Sequence, residues 1–124
     1  MMSTLPLPAH DRLVEIFLQS PIALEYYDAH GKWVAGNEAC LKTFGCKAED
    51  VLGFDLFTDE LVPQELRDQL KRGESGRCRR EFDFSKVTYQ TDRTDAPLFE
   101  ILFTVLRDSA GAVSGYLVQT IEVK

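Results

Sequence analysis

The pattern of apolar and polar positions predicts a short, broadly apolar helix near the start of the chain. Asp11 is placed to cap a helix over residues 11–19, and Ser20-Pro21 ends it because proline disfavours helical geometry in the residue before it. The apolar side chains of this helix are Leu13, Val14, Ile16, Phe17 and Leu18. Their face is too wide for one side of a short helix, so the helix is expected either to be sandwiched or to pack on a second chain.

A β-hairpin is predicted next. Residues 22–27 and 32–35 have the character of strands, and the turn Asp28-Ala29-His30-Gly31 joins them. An aspartate at the start of such a turn supplies a side-chain acceptor, and a glycine at its end accommodates a positive φ.

A run of short helices follows the hairpin. Asn37 is placed to cap the first helix and Gly45 to end it, and loss of that cap is expected to cost about 1 kcal/mol. One or two further turns end at Gly53 in a left-handed cap. Pro63 then opens a helix that ends at Gly73.

The last part of the chain has the pattern of three strands. Residues 77–89 alternate between two faces, one charged and the other carrying Cys78, Arg80, Phe82 and Phe84. Residues 98–107 are apolar on both faces, as in a central strand that is covered on both sides. The turn Asp108-Ser109-Ala110-Gly111 leads into a final strand over residues 113–123. Helices and antiparallel strands in this order predict an α+β fold.

Composition and charge narrow the class of protein. A chain of 124 residues, 44% hydrophobic and 27% charged, fits one globular domain, expected over residues 10–124 after a flexible tail over residues 1–9. The formal net charge of -6 would repel a phosphate backbone, which argues against binding to nucleic acid. No leader and no apolar run long enough to cross a bilayer is recognisable, so no membrane contact is predicted.

The residue types that carry chemistry are few. Cys40, Cys46 and Cys78 are odd in number and lack CxxC spacing, which indicates reduced thiols in a cytoplasmic protein. No cluster of metal ligands and no catalytic motif is visible, so neither a bound metal nor an enzyme active site is predicted. A small curved-sheet isomerase or dehydratase would need a buried acid or base. The candidates in apolar surroundings are Glu25 and Glu100, and alternation allows either to face solvent.

Several short motifs occur in a particular order and spacing. They are Ser20-Pro21-Ile22-Ala23, Asp28-x-x-Gly31, Asn37-Glu38-Ala39-Cys40, Phe44-Gly45, Glu49-Asp50-Val51-Leu52-Gly53, Pro63, Asp108-Ser109-Ala110-Gly111 and Gly115-Tyr116-Leu117-Val118. Together they resemble the PAS domain family over about residues 10–124. The resemblance implies a five-stranded antiparallel sheet of order 2-1-5-4-3, cupped by short helices, with the N-terminal helix in addition.

The resemblance also implies a function. PAS-like domains are sensory or dimerisation input modules of signal-transduction proteins, such as the sensor histidine kinases of two-component systems, and the output activity would lie in another domain. A homodimer is implied, formed through the N-terminal helix or through the sheet. A small ligand in an apolar pocket is one expectation, and a ligand-free dimerisation domain is the alternative. The curved-sheet enzyme ranks last.

Cofactors known in the PAS family are not expected here. Haem-binding members use a histidine on the helix before the third strand, whereas His10 precedes the predicted N-terminal helix and His30 lies in a turn. Flavin-binding members carry a reactive cysteine after the Leu-Gly turn, where this chain has Leu52-Gly53-Phe54-Asp55-Leu56-Phe57. Neither haem nor flavin is therefore predicted.

An aromatic-rich interior is the candidate lining of a ligand pocket. The residues proposed to line it are Tyr26, Trp33, Phe44, Phe54, Phe57, Phe82, Phe84 and Phe103. Close packing of these side chains, without a cavity, accounts for the same pattern and stays open as the alternative.

Overall fold

The chain forms one antiparallel sheet with helices on its inner face. The computed structural model describes residues 8–60 and 62–124, so most of the predicted tail over residues 1–9 lies outside the described residues. The elements are α1 (His10–Gln19), β1 (Ala23–Asp28), β2 (Trp33–Gly36), α2 (Glu38–Phe44), α3 (Ala48–Val51), α4 (Gln64–Lys71), β3 (Gly76–Glu81), β4 (Leu98–Arg107) and β5 (Val113–Val123). The strand order β2-β1-β5-β4-β3 confirms the predicted α+β fold and topology.

The inner face of the sheet forms the core because its side chains meet the helices. Val118 on β5 lies opposite Glu25 on β1 and Phe103 on β4, which places the three side chains in one row on this face. The buried residues packed around that row are Tyr27, Trp33, Val51, Leu56, Val62, Leu66, Leu70 and Tyr116. A second buried cluster, formed by Phe82, Phe84 and Phe99 with Phe44 packed against it, closes the end of the sheet beside β3.

The outer face of the sheet is less covered than predicted for β4. Leu98 and Ile121 are exposed there, and Leu102 and Leu106 are only partly buried. The expectation that β4 is covered on both faces is therefore not met within a single chain.

The third strand is shorter than the sequence pattern predicts. It ends at Glu81, and residues 84–86 form a turn of 3-10 helix instead of continuing the strand over residues 77–89. The next pairing position after Glu81 and Leu98 falls on Pro97, which accepts a hydrogen bond from Phe82 but has no N–H to donate. Asp83 then turns the chain by accepting a hydrogen bond from the Ser85 backbone N–H at 2.9 Å.

The N-terminal helix also departs from its prediction. It begins at His10 after Ala9, so Asp11 lies in the first turn and does not cap it. No residue of α1 is buried, and the helix contacts α2. The expected sandwiching of its apolar face is absent among the described residues. None of the helices in residues 8–60 and 62–124 is long and apolar enough to cross a membrane.

Asn37 joins α1, β1 and α2 through its side-chain amide, and it is fully buried. Its Oδ1 accepts hydrogen bonds from the backbone N–H groups of Cys40 at 2.9 Å and Leu24 at 3.0 Å, which confirms the predicted cap of α2. Its Nδ2 donates to the carbonyls of Phe17 at 3.0 Å and Ile22 at 2.9 Å. The amide thus holds the end of α1 against the start of β1.

We expect Asn37→Ala to lower the free energy of unfolding by about 3 kcal/mol, well above the cost of a cap alone. The reason is that the variant leaves partly or fully buried backbone donors and acceptors from three segments without this partner. Urea unfolding of this variant, beside the exposed first-turn substitution Glu38→Ala as control, measures the difference. A loss of no more than about 1 kcal/mol would show that the amide acts only as a helix cap.

Candidate functional site

A cavity of about 70 Å³ lies between the inner face of the sheet and the short helices. A cavity that holds a single water is roughly 10–15 Å³ in volume, so this cavity has room for more than one small group. Its aromatic walls are Tyr27, Phe44, Phe54, Phe82, Tyr89 and Phe103, and its aliphatic walls are Val51, Leu56, Val62, Ile101 and Val118. The polar or sulfur-bearing residues that line it are Glu25, Cys40, Cys46, Asp59 and Thr120.

The segment after α3 forms one wall because hydrogen bonds hold it to the β1–β2 turn. Trp33 donates its backbone N–H to the carbonyl of Phe54 at 2.9 Å, and Leu56 donates to the carbonyl of Gly31 at 2.7 Å. Asp55 adds an ion pair with Lys32 at 2.8 Å. Phe54 and Leu56, on either side of Asp55, are thereby held at the cavity.

Glu25 is the most unusual residue of the wall. Although the residue as a whole is only partly buried, desolvation of its carboxyl group, with a smaller contribution from the charge of Asp59, raises the pKa to about 7. Hydrogen bonds from the Tyr27 hydroxyl and the Trp33 indole N–H, both at 3.2 Å, oppose the rise. Among the residues described as lining the cavity there is no Lys, Arg or His to neutralise the carboxylate.

The two oxygens of Glu25 differ in their surroundings. Both hydrogen bonds, from Tyr27 and from Trp33, go to Oε1. Oε2 receives no hydrogen bond from the described residues, yet it is not sealed within protein atoms. When Glu25 is ionised, Oε2 is therefore the acceptor that an occupant of the cavity can reach.

The thiols of the cavity are not activated. Burial raises the pKa of Cys46 to about 11, and it raises the pKa of Cys40 further still. Since the thiolate is the nucleophilic form, both residues are inert near neutral pH. The wall offers hydrogen bonding and charge rather than covalent chemistry.

The predicted pocket residues fall into two groups. Phe44, Phe54, Phe82 and Phe103 contact the cavity. The others lie elsewhere. Tyr26 lies on the outer face with its hydroxyl bonded to the Ser114 carbonyl, and Trp33 donates its indole N–H to Glu25. Phe57 packs against Tyr116, and Phe84 lies in the second cluster. Whether the wall residues bind a ligand stays a prediction.

Sequence reasoning left the orientation of Glu25 open and so did not place it among the pocket residues. The signal that identifies it is strand alternation. Ala23, Glu25 and Tyr27 share one face of β1, and Ala23 and Tyr27 are both buried.

The cavity does not fit a flavin. A cavity of about 150 Å³ holds a single benzene ring, so a fused tricyclic ring is much larger than the space of about 70 Å³ here. His10 and His30 are both exposed, and neither lies on α4, the helix before β3. No group of His, Cys, Asp and Glu suited to a metal ion occurs in residues 8–60 and 62–124.

The predicted dimer helix presents its apolar side chains to solvent. Exposed fractions are 42% for Leu13, 55% for Val14, 56% for Ile16 and 48% for Leu18, and Phe17 is partly buried. Helix α1 therefore offers an exposed apolar surface, and its last turn is the part that Asn37 holds against the start of β1.

No protein-family model and no curated protein matches this chain. Solved structures do match. An RNA-binding Light-Oxygen-Voltage receptor aligns with a TM-score of 0.73 and 18% identity over 98% of this chain, which spans 37% of that receptor. The PAS domain of an HTR-like protein from Haloarcula marismortui aligns with a TM-score of 0.65 and 18% identity, covering 91% of this chain and 90% of that one.

A PAS domain from a two-component sensor histidine kinase aligns with a TM-score of 0.65 and 13% identity, covering 91% of this chain and 95% of that one. At such identities the likeness concerns the fold. The sheet order, the helices on its inner face and these alignments lead to one conclusion: the chain has the fold of the PAS and Light-Oxygen-Voltage sensory domains.

Proposed function

We propose that this chain is a sensory input module that holds a small molecule in its inner cavity and passes the occupancy of that cavity to an attached output domain. The observation that carries the proposal is the lined cavity with a desolvated carboxyl group in its wall. A core built only for stability would place an apolar side chain at position 25, because a buried charge without a cationic partner is costly.

A route from the cavity to α1 supports the proposal. Glu25 on β1 follows Leu24, whose backbone N–H is bonded to Asn37 Oδ1, and Cys40 on α2 lines the cavity and bonds the same oxygen. Asn37 Nδ2 holds the last turn of α1 through the carbonyl of Phe17. An occupant that shifts β1 or α2 would therefore change how α1 is held.

The exposed apolar side chains of α1 support a homodimer. Contiguous apolar surface on a helix without a covering partner is a common mark of an interaction site. In a two-fold dimer the same surface of both copies is buried. A change in how the two α1 helices are held would then be passed to the output domain. A ligand-free dimerisation domain is the second candidate, and the small volume of the cavity favours it.

The wider context follows from the structural neighbours and is likewise proposed. A sensor histidine kinase or a related cytoplasmic signalling protein is the proposed setting, with the output activity in another domain. The protonated thiols and the exposed histidines support a role in binding rather than catalysis.

Native mass spectrometry of freshly purified protein tests the cavity. We expect a small non-covalent adduct that disappears on denaturation, and no absorption band in the visible range because neither haem nor flavin fits. An unloaded protein under several growth conditions would favour the ligand-free dimerisation domain. A visible band would overturn the expectation about cofactors.

The free energy of unfolding should fall as the pH rises through the range set by Glu25. Its pKa is raised from 4.5 to about 7, so the folded state binds this proton more tightly, and the contribution of Glu25 to stability is fully present below pH 4.5 and lost as the pH rises through 7. At about 1.4 kcal/mol per pH unit, the loss by pH 8 amounts to about 3 kcal/mol. Glu25→Gln should remove that loss, making the variant more stable than the parent at pH 8 and similar to it at pH 4.5.

Urea unfolding of parent and variant at pH 4.5, 6 and 8 measures the difference. The control is Glu100→Gln, the same substitution on the outer face, where the carboxylate pairs with Arg79 at 3.0 Å. Parallel curves for the parent and Glu25→Gln across this range would show that the carboxyl group is solvated.

Analytical ultracentrifugation tests the dimer. We expect the chain to dimerise at tens of micromolar, and Val14→Glu to weaken the association by at least about tenfold because it buries a charge against the partner helix. The matched control is Val34→Glu, which places the same charge at a site with a similar exposed fraction, 48% against 55%. A monomeric parent, or equal effects of both substitutions, would contradict the role of α1.

A further inference from the structure

The polar groups of the cavity define which occupant it can hold. Glu25 and Asp59 both carry carboxyl groups at the wall, and the residues described as lining it include no cationic side chain. A carboxylate or phosphate ligand would meet like charge in a desolvated space, which is unfavourable. The cavity therefore selects against anions.

The geometry of Glu25 points to a donor on the occupant. Tyr27 and Trp33 fix the carboxyl group through Oε1, which leaves Oε2 with no hydrogen bond from the described residues and open to the cavity. A charged nitrogen on the ligand would supply the missing cation and a short charge-assisted hydrogen bond. The aromatic rings of Phe54, Phe82 and Tyr89 in the same wall add favourable contacts for a cation.

We propose that the occupant of the cavity is a small organic cation, a protonated amine or amidine on a compact apolar body, whose nitrogen pairs with Glu25 Oε2. This inference rests on the proposed ligand-sensing function and names the chemical class of its ligand. At about 70 Å³ the cavity limits the occupant to a compact molecule of a few non-hydrogen atoms unless the walls move.

The pairing makes binding depend on pH. Besides Asp59, the titratable groups that face Glu25 are Tyr27 on its own strand, Cys40 on α2, Cys46 after α2, and Tyr89. These hydroxyls and thiols stay protonated between pH 6 and 8, since the pKa of each is raised by burial. Ionisation of Glu25 is then the step that admits the cation, and affinity for it should rise with pH.

The test uses three probes with similar branched apolar bodies: isobutylammonium, isobutanol and isobutyrate. Binding to the full chain is measured by calorimetry, with amide chemical shifts from NMR to locate the probe. At pH 8 we expect isobutylammonium to bind at least about tenfold more tightly than isobutanol, and isobutyrate to bind the least. From pH 6 to pH 8 the affinity for isobutylammonium should rise about tenfold, while that for isobutanol stays nearly constant.

Two variants assign the effect to the cavity. Glu25→Gln should abolish the preference for the cation over the alcohol, and Glu100→Gln should keep it, which excludes attraction by the acidic surface as a whole. If Glu25→Gln does not fold, the pH series on the parent still tests whether binding of the cation follows ionisation of Glu25, because that series needs no variant.

The outcomes separate this inference from the function on which it rests. Isobutanol binding as tightly as isobutylammonium, or a cation preference retained in Glu25→Gln, would overturn the inference and leave a ligand-binding cavity in place. A bound anionic or neutral compound in the native mass spectrum would do the same. Failure of all three probes, together with an unloaded native protein, would overturn both.

Discussion

The buried amide of Asn37 is the joint on which the arrangement of the N-terminal half depends. A buried amide has to find partners for both its oxygen and its nitrogen. Here the partners are backbone groups of Phe17, Ile22, Leu24 and Cys40, from three different segments. Because α1 has no buried residue of its own, this amide is the main described tie between the helix and the sheet. A weak apolar attachment with one strong polar tie is well suited to a helix that changes position.

Stability and binding make opposite demands at Glu25. Desolvation disfavours its charged form, and the two hydrogen bonds to Oε1 only partly offset that effect. The same desolvation makes a charge on an incoming ligand worth more, because an ion pair is less screened there than in water. The carboxyl group is thus costly for the free domain and would favour an occupant of the cationic class proposed above. The thiols in the wall stay protonated, so they do not act as nucleophiles toward an occupant.

The similarity of this chain to Light-Oxygen-Voltage and kinase PAS domains concerns the backbone fold. The same sheet and helices support different sites in different proteins, so a site is argued from its own side chains. In this chain the segment after the Leu52-Gly53 turn carries aromatic and aliphatic side chains and no cysteine. Its cavity of about 70 Å³ is smaller than a fused tricyclic ring, and Glu25 Oε2 in its wall receives no hydrogen bond from the described residues. These features distinguish its chemistry from that of a flavin sensor.

Local signals in the sequence determined much of the fold. The turns at Asp28 and Asp108, the cap at Asn37 and the glycine ends of the short helices depend on neighbours only a few residues away, and they were predictable for that reason. Strand alternation likewise indicated the aromatic side chains of the inner face. The end of β3 was not recognised, because it depends on Pro97, the residue just before the strand that pairs with it.

Tertiary structure alone decided the functional features. Alternation places Glu25 on the same face as Ala23 and Tyr27, but the burial that desolvates its carboxyl group, the hydrogen bonds from Tyr27 and Trp33, and the nearby charge of Asp59 arise only on folding. Asn37 was recognisable as a cap, but its bonds to the carbonyls of Phe17 and Ile22 join residues 15 to 20 positions away. A cavity is space that packing leaves unfilled, and residue types specify which side chains can surround it without specifying how closely they approach. Sequence therefore determined the architecture and the aromatic character of the interior. Packing determined that the interior contains an open volume and that a carboxyl group lines it.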